Sequence, residues 1–227
     1  MERSQTYRVR ETLLSRKPRE YSREVAVISV LMMLWITLLS WQNNESLLPT
    51  LAATSNGVLG NQEYWRLLTS VAVHADMGHF LSNIIFIALF SYLLFGYYGI
   101  WVYPVLGVAL AGLTNYLSLL TYPAGSSLIG ASGLVYWMAG FWLSMYLMVE
   151  RSLGIGKRTM RAVGVALIVL FPSTFQVNVS YRAHAIGFGL GVVSAFAYFQ
   201  RNRHSIRAAE VIEVEDTLDS SDQSYRS

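Results

Sequence analysis

Six apolar runs, at residues 25–41, 78–98, 100–120, 130–149, 162–177 and 183–199, constrain this chain more than any other feature. A helix needs about 20 predominantly apolar residues to cross about 30 Å of hydrocarbon. In that medium every backbone N–H and C=O must also be bonded within the protein, which leaves helices as the simplest spanning element. The runs therefore predict an all-α polytopic membrane protein, a bundle of six transmembrane helices. The first run starts too late, and is followed by too much similar chain, to be a cleaved signal peptide. The fifth is the least regular, because Pro172 interrupts it. Composition agrees: 53% of the 227 residues are hydrophobic and 14% are charged, where soluble domains carry about a quarter charged.

Charge placement sets an orientation. Of seventeen lysines and arginines, seven precede residue 24, four lie between the fourth and fifth runs, and four follow the sixth. Arg66 alone lies in the stretch 42–77, and Arg182 alone between the fifth and sixth runs. Excess cations on cytoplasmic segments predict both termini inside. The expected organisation is a basic cytoplasmic tail at 1–24, a membrane domain at 25–200 with a long external loop at 42–77, and a cytoplasmic tail at 201–227. The last is acidic and serine-rich toward its end and is expected to be disordered. The external loop is too long for a mere connector and holds Leu47, Leu48, Tyr64, Trp65, Leu67 and Leu68. It should fold back against the helices or lie in the outer interface. The net charge of +3 does not imply nucleic acid, because the cations flank apolar runs instead of forming one stripe. The absence of cysteine excludes disulfides, thiolate metal sites and a cysteine nucleophile.

With that topology, the second, fourth and sixth helices all run inward, so their first turns share the outer leaflet. His79 and Asn83 are four apart and face one way. Ser132 opens the fourth run and His184 the sixth. Singly, each of these has a structural role open to it: a serine for packing, a histidine or asparagine for capping or cross-helix bonding. Together at one depth they supply a nucleophile, a base and an oxyanion clamp. Ionisable groups within a membrane segment are functional candidates in any case. Gly187 and Gly191 suit close helix packing.

Metal chemistry is the other use of histidines. His74, His79 and His184 could offer imidazoles, with Asp76 or Asp219 as oxygen donor. The five-residue spacing of His74 and His79 is awkward on one helix, there is no HExxH, and Asp219 belongs to the cytoplasmic tail. No metal or other cofactor is expected. A six-helix channel or transporter would need polar residues through the whole depth, and here the ionisable ones gather at one side.

Three segments resemble the rhomboid family of intramembrane serine proteases. "YWRLLTSVAVHADMGHFLSN" is similar to its tryptophan–arginine pair followed by two histidines and an asparagine. "GASG" resembles its glycine-x-serine-glycine, and "AHAIGFGLG" its sixth-span histidine with glycines three and seven residues on. The resemblance covers roughly residues 64–199. It implies a Ser132–His184 dyad with no carboxylate member, flanked by Gly130 and Gly133. Tyr136 would pack on the His184 ring. His79, Asn83 and the Ser132 backbone N–H would form an oxyanion hole. His74, Trp65 and Arg66 would hold the external loop, and Gly187 and Gly191 would admit close packing of the sixth span on the fourth. The implied activity is hydrolysis of peptide bonds in or near transmembrane segments. The alternative is an inactive relative that binds such segments without cutting them. The implied partners are transmembrane substrates and the lipid bilayer, with no obligatory partner subunit, and the expected location is the prokaryotic plasma (inner) membrane.

Overall fold

The structure, a computed structural model, describes residues 3–42, 47–170 and 180–218. Eight helices appear among them: α1 (Ser22–Gln42), α2 (Leu47–Leu51), α3 (Arg66–Ala72), α4 (Met77–Tyr98), α5 (Gly107–Leu119), α6 (Ser132–Val149), α7 (Ile155–Leu170) and α8 (Tyr181–Ala208). Five segments are long and apolar enough to cross a membrane: α1, α4, Trp101–Leu119, α6 and α8. The chain is thus a helical, multi-pass membrane protein. It also carries two small two-stranded ribbons, β1 (Arg3–Glu11) with β4 (Val211–Leu218) and β2 (Ala53–Thr54) with β3 (Ser127–Leu128).

Helix α6 occupies the centre, against α4, α5, α7 and α8. Its Trp137, Met138, Phe141 and Met145 are fully buried, together with Ile87 and Phe90 of α4. In a membrane such a core is held by close packing more than by the hydrophobic effect, because lipid is as apolar as leucine. The α6–α8 contact shows this directly. A Cβ on Gly187 would lie 2.5 Å from the Gly133 carbonyl oxygen, and one on Gly191 would collide with the Trp137 carbonyl. The two backbones touch because these positions have no side chain, as the small-residue spacing suggests. The helices run parallel: Gly133 faces Gly187, Trp137 donates to Ser194 Oγ at 3.1 Å, and Phe141 packs on Tyr198.

The expected external loop is folded. It forms α2, β2, a wide π-type turn at Asn56–Gly60, and α3, with Ala52, Ala53, Val58 and Val71 buried. Arg66 stitches it together by donating to the carbonyls of Pro49 at 2.8 Å, Thr50 and Ala52, and to Glu63, while its guanidinium covers the Trp65 ring at 4.8 Å.

Three expectations need correction or a limit. The third run is not one helix: residues Trp101–Leu106 form π-type turns with Tyr103 extended (φ −139°, ψ 129°). Pro104 lacks an N–H and disfavours the helical region for the residue before it. The tail from 201 is not disordered throughout. Helix α8 continues to Ala208, and β4 pairs with β1 in antiparallel register, Tyr7 opposite Val214 and Val9 opposite Ile212. At 28 residues α8 is about 42 Å long, more than the hydrocarbon requires, so its last turns with Arg201, Arg203 and Arg207 project beyond it. Alternation of apolar and acidic residues in 212–215 then fits a strand laid against a basic one. For the fifth run, α7 starts earlier than residue 162, and Pro172 with the rest of that run lies outside the described residues.

Candidate active site

Ser132 is the first residue of α6, and the backbone before it is anchored on three sides. Gly130 holds φ at +102°, a region costly for side chains, and a Cβ there would sit 2.6 Å from His79 Cε1. Its N–H donates to the Ser70 carbonyl at 2.8 Å. Ala131 N–H donates to His74 Nε2 at 3.4 Å. At the other ring nitrogen, His74 Nδ1 meets Thr37 Oγ1 at 3.1 Å, and the Thr37 hydroxyl donates to the Ala72 carbonyl at 3.0 Å. The single hydroxyl proton is thereby used, so Nδ1 must be the protonated nitrogen and Nε2 the acceptor. His74 is a neutral ring joining α1 to the turn before Ser132. Burial first, and then His79, push its imidazole down from the ordinary 6.5 to about 4, with Asp76 opposing.

Asp76 caps α4, its Oδ1 accepting the His79 N–H at 2.8 Å. Asn83 follows one turn later, 4% exposed, with Nδ2 donating to the His79 carbonyl at 2.9 Å. An amide nitrogen carries a second hydrogen, which is left for the cavity these residues line. Helix α8 is capped by Ser180, whose Oγ accepts the Ala183 N–H at 3.1 Å and pairs with Tyr122 Oη at 2.8 Å. Arg182 donates to the Thr121 carbonyl and lies over the Tyr122 ring. These contacts tie the start of α8 to the loop that leads into Ser132.

His184 is 4% exposed and stacks on Tyr136, ring centroids 3.9 Å apart and planes 12° from parallel. Neither of its ring nitrogens has a hydrogen-bond partner among the described residues. A buried orphan of this kind is uncommon and calls for an explanation. It faces a cavity of about 460 Å³ whose walls include Asp76, His79, Ser82, Asn83, Ser127, Ser132, Tyr136, Ser180 and His184, with Phe86, Leu128, Ile129, Val135 and Val169.

The structure thus brings Ser132, His184, His79, Asn83 and Tyr136 to one cavity. Gly130 and Gly133 flank the serine, Gly187 and Gly191 lie deeper in the α6–α8 seam, and His74 stands behind the wall. Trp65 and Arg66 belong to the folded loop and do not line the cavity. Ser70, Thr37, Ser127 and Ser180 were not singled out in the sequence. Ser70 and Ser127 act through their backbone and Thr37 through its hydroxyl, each joining distant segments in a way that leaves no local pattern; Asp76 and Ser180 as helix caps are the exceptions.

A multi-pass helical protein with this polar cavity between its helices falls in a recognisable class, and its sequence agrees. The chain belongs to the rhomboid family: the model of the Rhomboid domain matches residues 61–201. It is also similar to "Putative rhomboid protease YdcA" of Bacillus subtilis (strain 168), 29% identical over 147 residues, which is 63% of this chain and 71% of that relative.

Proposed function

We propose that this protein is an intramembrane serine endopeptidase that cuts other membrane proteins in or near their transmembrane segments. The observation that carries the reading is the buried, stacked His184, whose ring nitrogens have no partner among the described residues, on the same cavity as Ser132. Ser132 Oγ attacks the scissile carbonyl carbon while His184 takes the hydroxyl proton. Negative charge develops on the carbonyl oxygen, and Asn83, His79 and the Ser132 N–H at the start of α6 donate to it. The C–N bond breaks as His184 returns the proton to the leaving amine. Water then attacks the acyl-enzyme with His184 as base, and Ser132 is released. Tyr136 fixes the imidazole plane by stacking, in place of a carboxylate, which would be costly to bury there unpaired. No cofactor takes part. The substrate must present an extended segment, because an intact helix has already bonded its carbonyl.

Two observations support six crossings with both ends on one side, although five spans are recognised among the described residues. The α6 and α8 helices run parallel, which fits a return crossing between them that includes α7 (Ile155–Leu170). The β1–β4 pairing fits an even number of crossings, because it brings segments near both ends together. The cation bias favours the cytoplasmic side for that ribbon, with 1–24 and 201–227 as cytoplasmic segments around the membrane domain. The bacterial relative favours a prokaryotic plasma membrane.

The test is reconstitution in liposomes with a panel of transmembrane substrates, with products sequenced by mass spectrometry. Wild type should cut, and Ser132→Ala should not while melting at the same temperature. Equal cutting by both would end the proposal.

A further inference from the structure

Asp76 takes no part in the proposed chemistry, yet it stands in the cavity. Among the described residues lining that cavity it is the single side chain with a formal charge; the others are hydroxyls, an amide, two imidazoles and apolar groups. It is exposed, and no ion pair joins it among the described residues. Its helix cap uses Oδ1, and a carboxylate has two oxygens and about four acceptor sites. Serine, threonine or asparagine would cap as well, so the charge is surplus to the cap. An exposed carboxylate on the cavity wall attracts a cation with the strength of an accessible ion pair.

We propose that Asp76 sets the specificity of this cavity, favouring substrates with a lysine or arginine beside the scissile bond. The inference rests on the protease reading for what is bound. A segment held with its carbonyl at Ser132 passes the first turn of α4, where His79 and Asp76 are three residues apart. Membrane proteins supply such cations, because lysine and arginine near a helix end extend their stems toward the interface. The carboxylate meets the cation outside the reacting atoms, so it ranks substrates without taking a step in bond cleavage.

The experiment compares kcat/KM for one transmembrane substrate carrying lysine, methionine or glutamate at each position flanking the cut. Wild type should prefer lysine over methionine by about fivefold at one position, the upper range for an accessible ion pair, and should disfavour glutamate. Asp76→Asn and Asp76→Ser keep a capping group and should abolish the preference. Asp76→Glu weakens the cap but keeps the charge and should retain it. If Asn and Ser variants rank the three substrates as wild type does, Asp76 is a cap and the proposal is overturned. Binding of the same three peptides to Ser132→Ala, by fluorescence anisotropy, separates the two readings. Lysine-selective binding that Asp76→Asn removes, without cleavage by the wild type, contradicts the protease and keeps the charge preference. Cleavage with no charge ranking overturns only the preference.

Discussion

The two ends of the α6–α8 pair are built differently. At the cavity end, His184 is buried with neither ring nitrogen bonded among the described residues, and the helices meet backbone to backbone through glycines. At the ribbon end the buried acid is doubly paired: Glu210, with a side chain 6% exposed, accepts from Arg207 at 2.7 Å and Arg151 at 3.2 Å. Arg16 there also donates to the Ala209 carbonyl at 3.1 Å, tying the N-terminal segment to the end of α8. A satisfied ion pair holds geometry and has little capacity left for chemistry. An unpaired imidazole is costly to bury and is worth that cost where it meets a substrate. One end anchors a long helix, and the other spends the resulting order on a site.

Changes at the two ends should therefore separate in what they damage. The largest effect is expected behind the cavity wall, at His74. The unfolded chain binds a proton at this residue near pH 6.5, but the folded protein does so only near pH 4. Stability from the neutral ring is complete above 6.5 and is lost as pH falls toward 4, a change on the order of 3 kcal/mol. Melting curves of wild type across this range should slope more steeply than those of His74→Gln; equal slopes would show that the ring is not the acid-sensitive joint.

Next comes the seam. Gly187→Ala places a methyl 2.5 Å from a backbone oxygen that cannot move aside, one residue from Ser132. The expected loss is about 2 kcal/mol of stability, with activity falling further than the lost folded fraction explains. Unchanged melting would mean that α8 has room to shift, and that the close approach does not hold the site. A smaller effect belongs to Asn83→Ala, about tenfold in kcat, because the backbone N–H and His79 remain to receive the oxyanion. A change in KM alone would make Asn83 a helix-mouth residue.

At the ribbon end the smallest effect is expected from Glu213→Ala. Its pair with Arg10 is 3.3 Å long and well exposed on both sides, 66% and 47%, so stability should move by less than about 0.5 kcal/mol. A deep activity loss from this surface position would break the division between the two ends.

Much of this was legible because membranes simplify sequences. Hydropathy placed α1, α4, α6 and α8 to within a few residues at most ends, and the resemblance gathered Ser132, His184, His79, Asn83 and Tyr136 onto one cavity. What escaped was long-range or irregular. The β1–β4 ribbon joins segments some 200 residues apart, and an acidic, serine-rich tail looks unstructured until its basic partner is seen. The end of α8 escaped because apolarity stops at Phe199 while helical backbone continues through polar residues to Ala208. The broken third span did have a signal, Pro104, within its apolar run. His74 was expected to hold the external loop; it also supports the turn before Ser132, through a ring nitrogen and a backbone N–H that no spacing reveals.

The central claim is that His184 activates Ser132 across this cavity, and labelling by a fluorophosphonate measures it most directly. The purified protein should be modified on Ser132 alone. Ser132→Ala should take up no label, and His184→Ala should react more slowly by roughly a hundredfold or more, since an unassisted serine hydroxyl is a weak nucleophile. Modification of another serine, or equal rates in wild type and His184→Ala, would contradict the account.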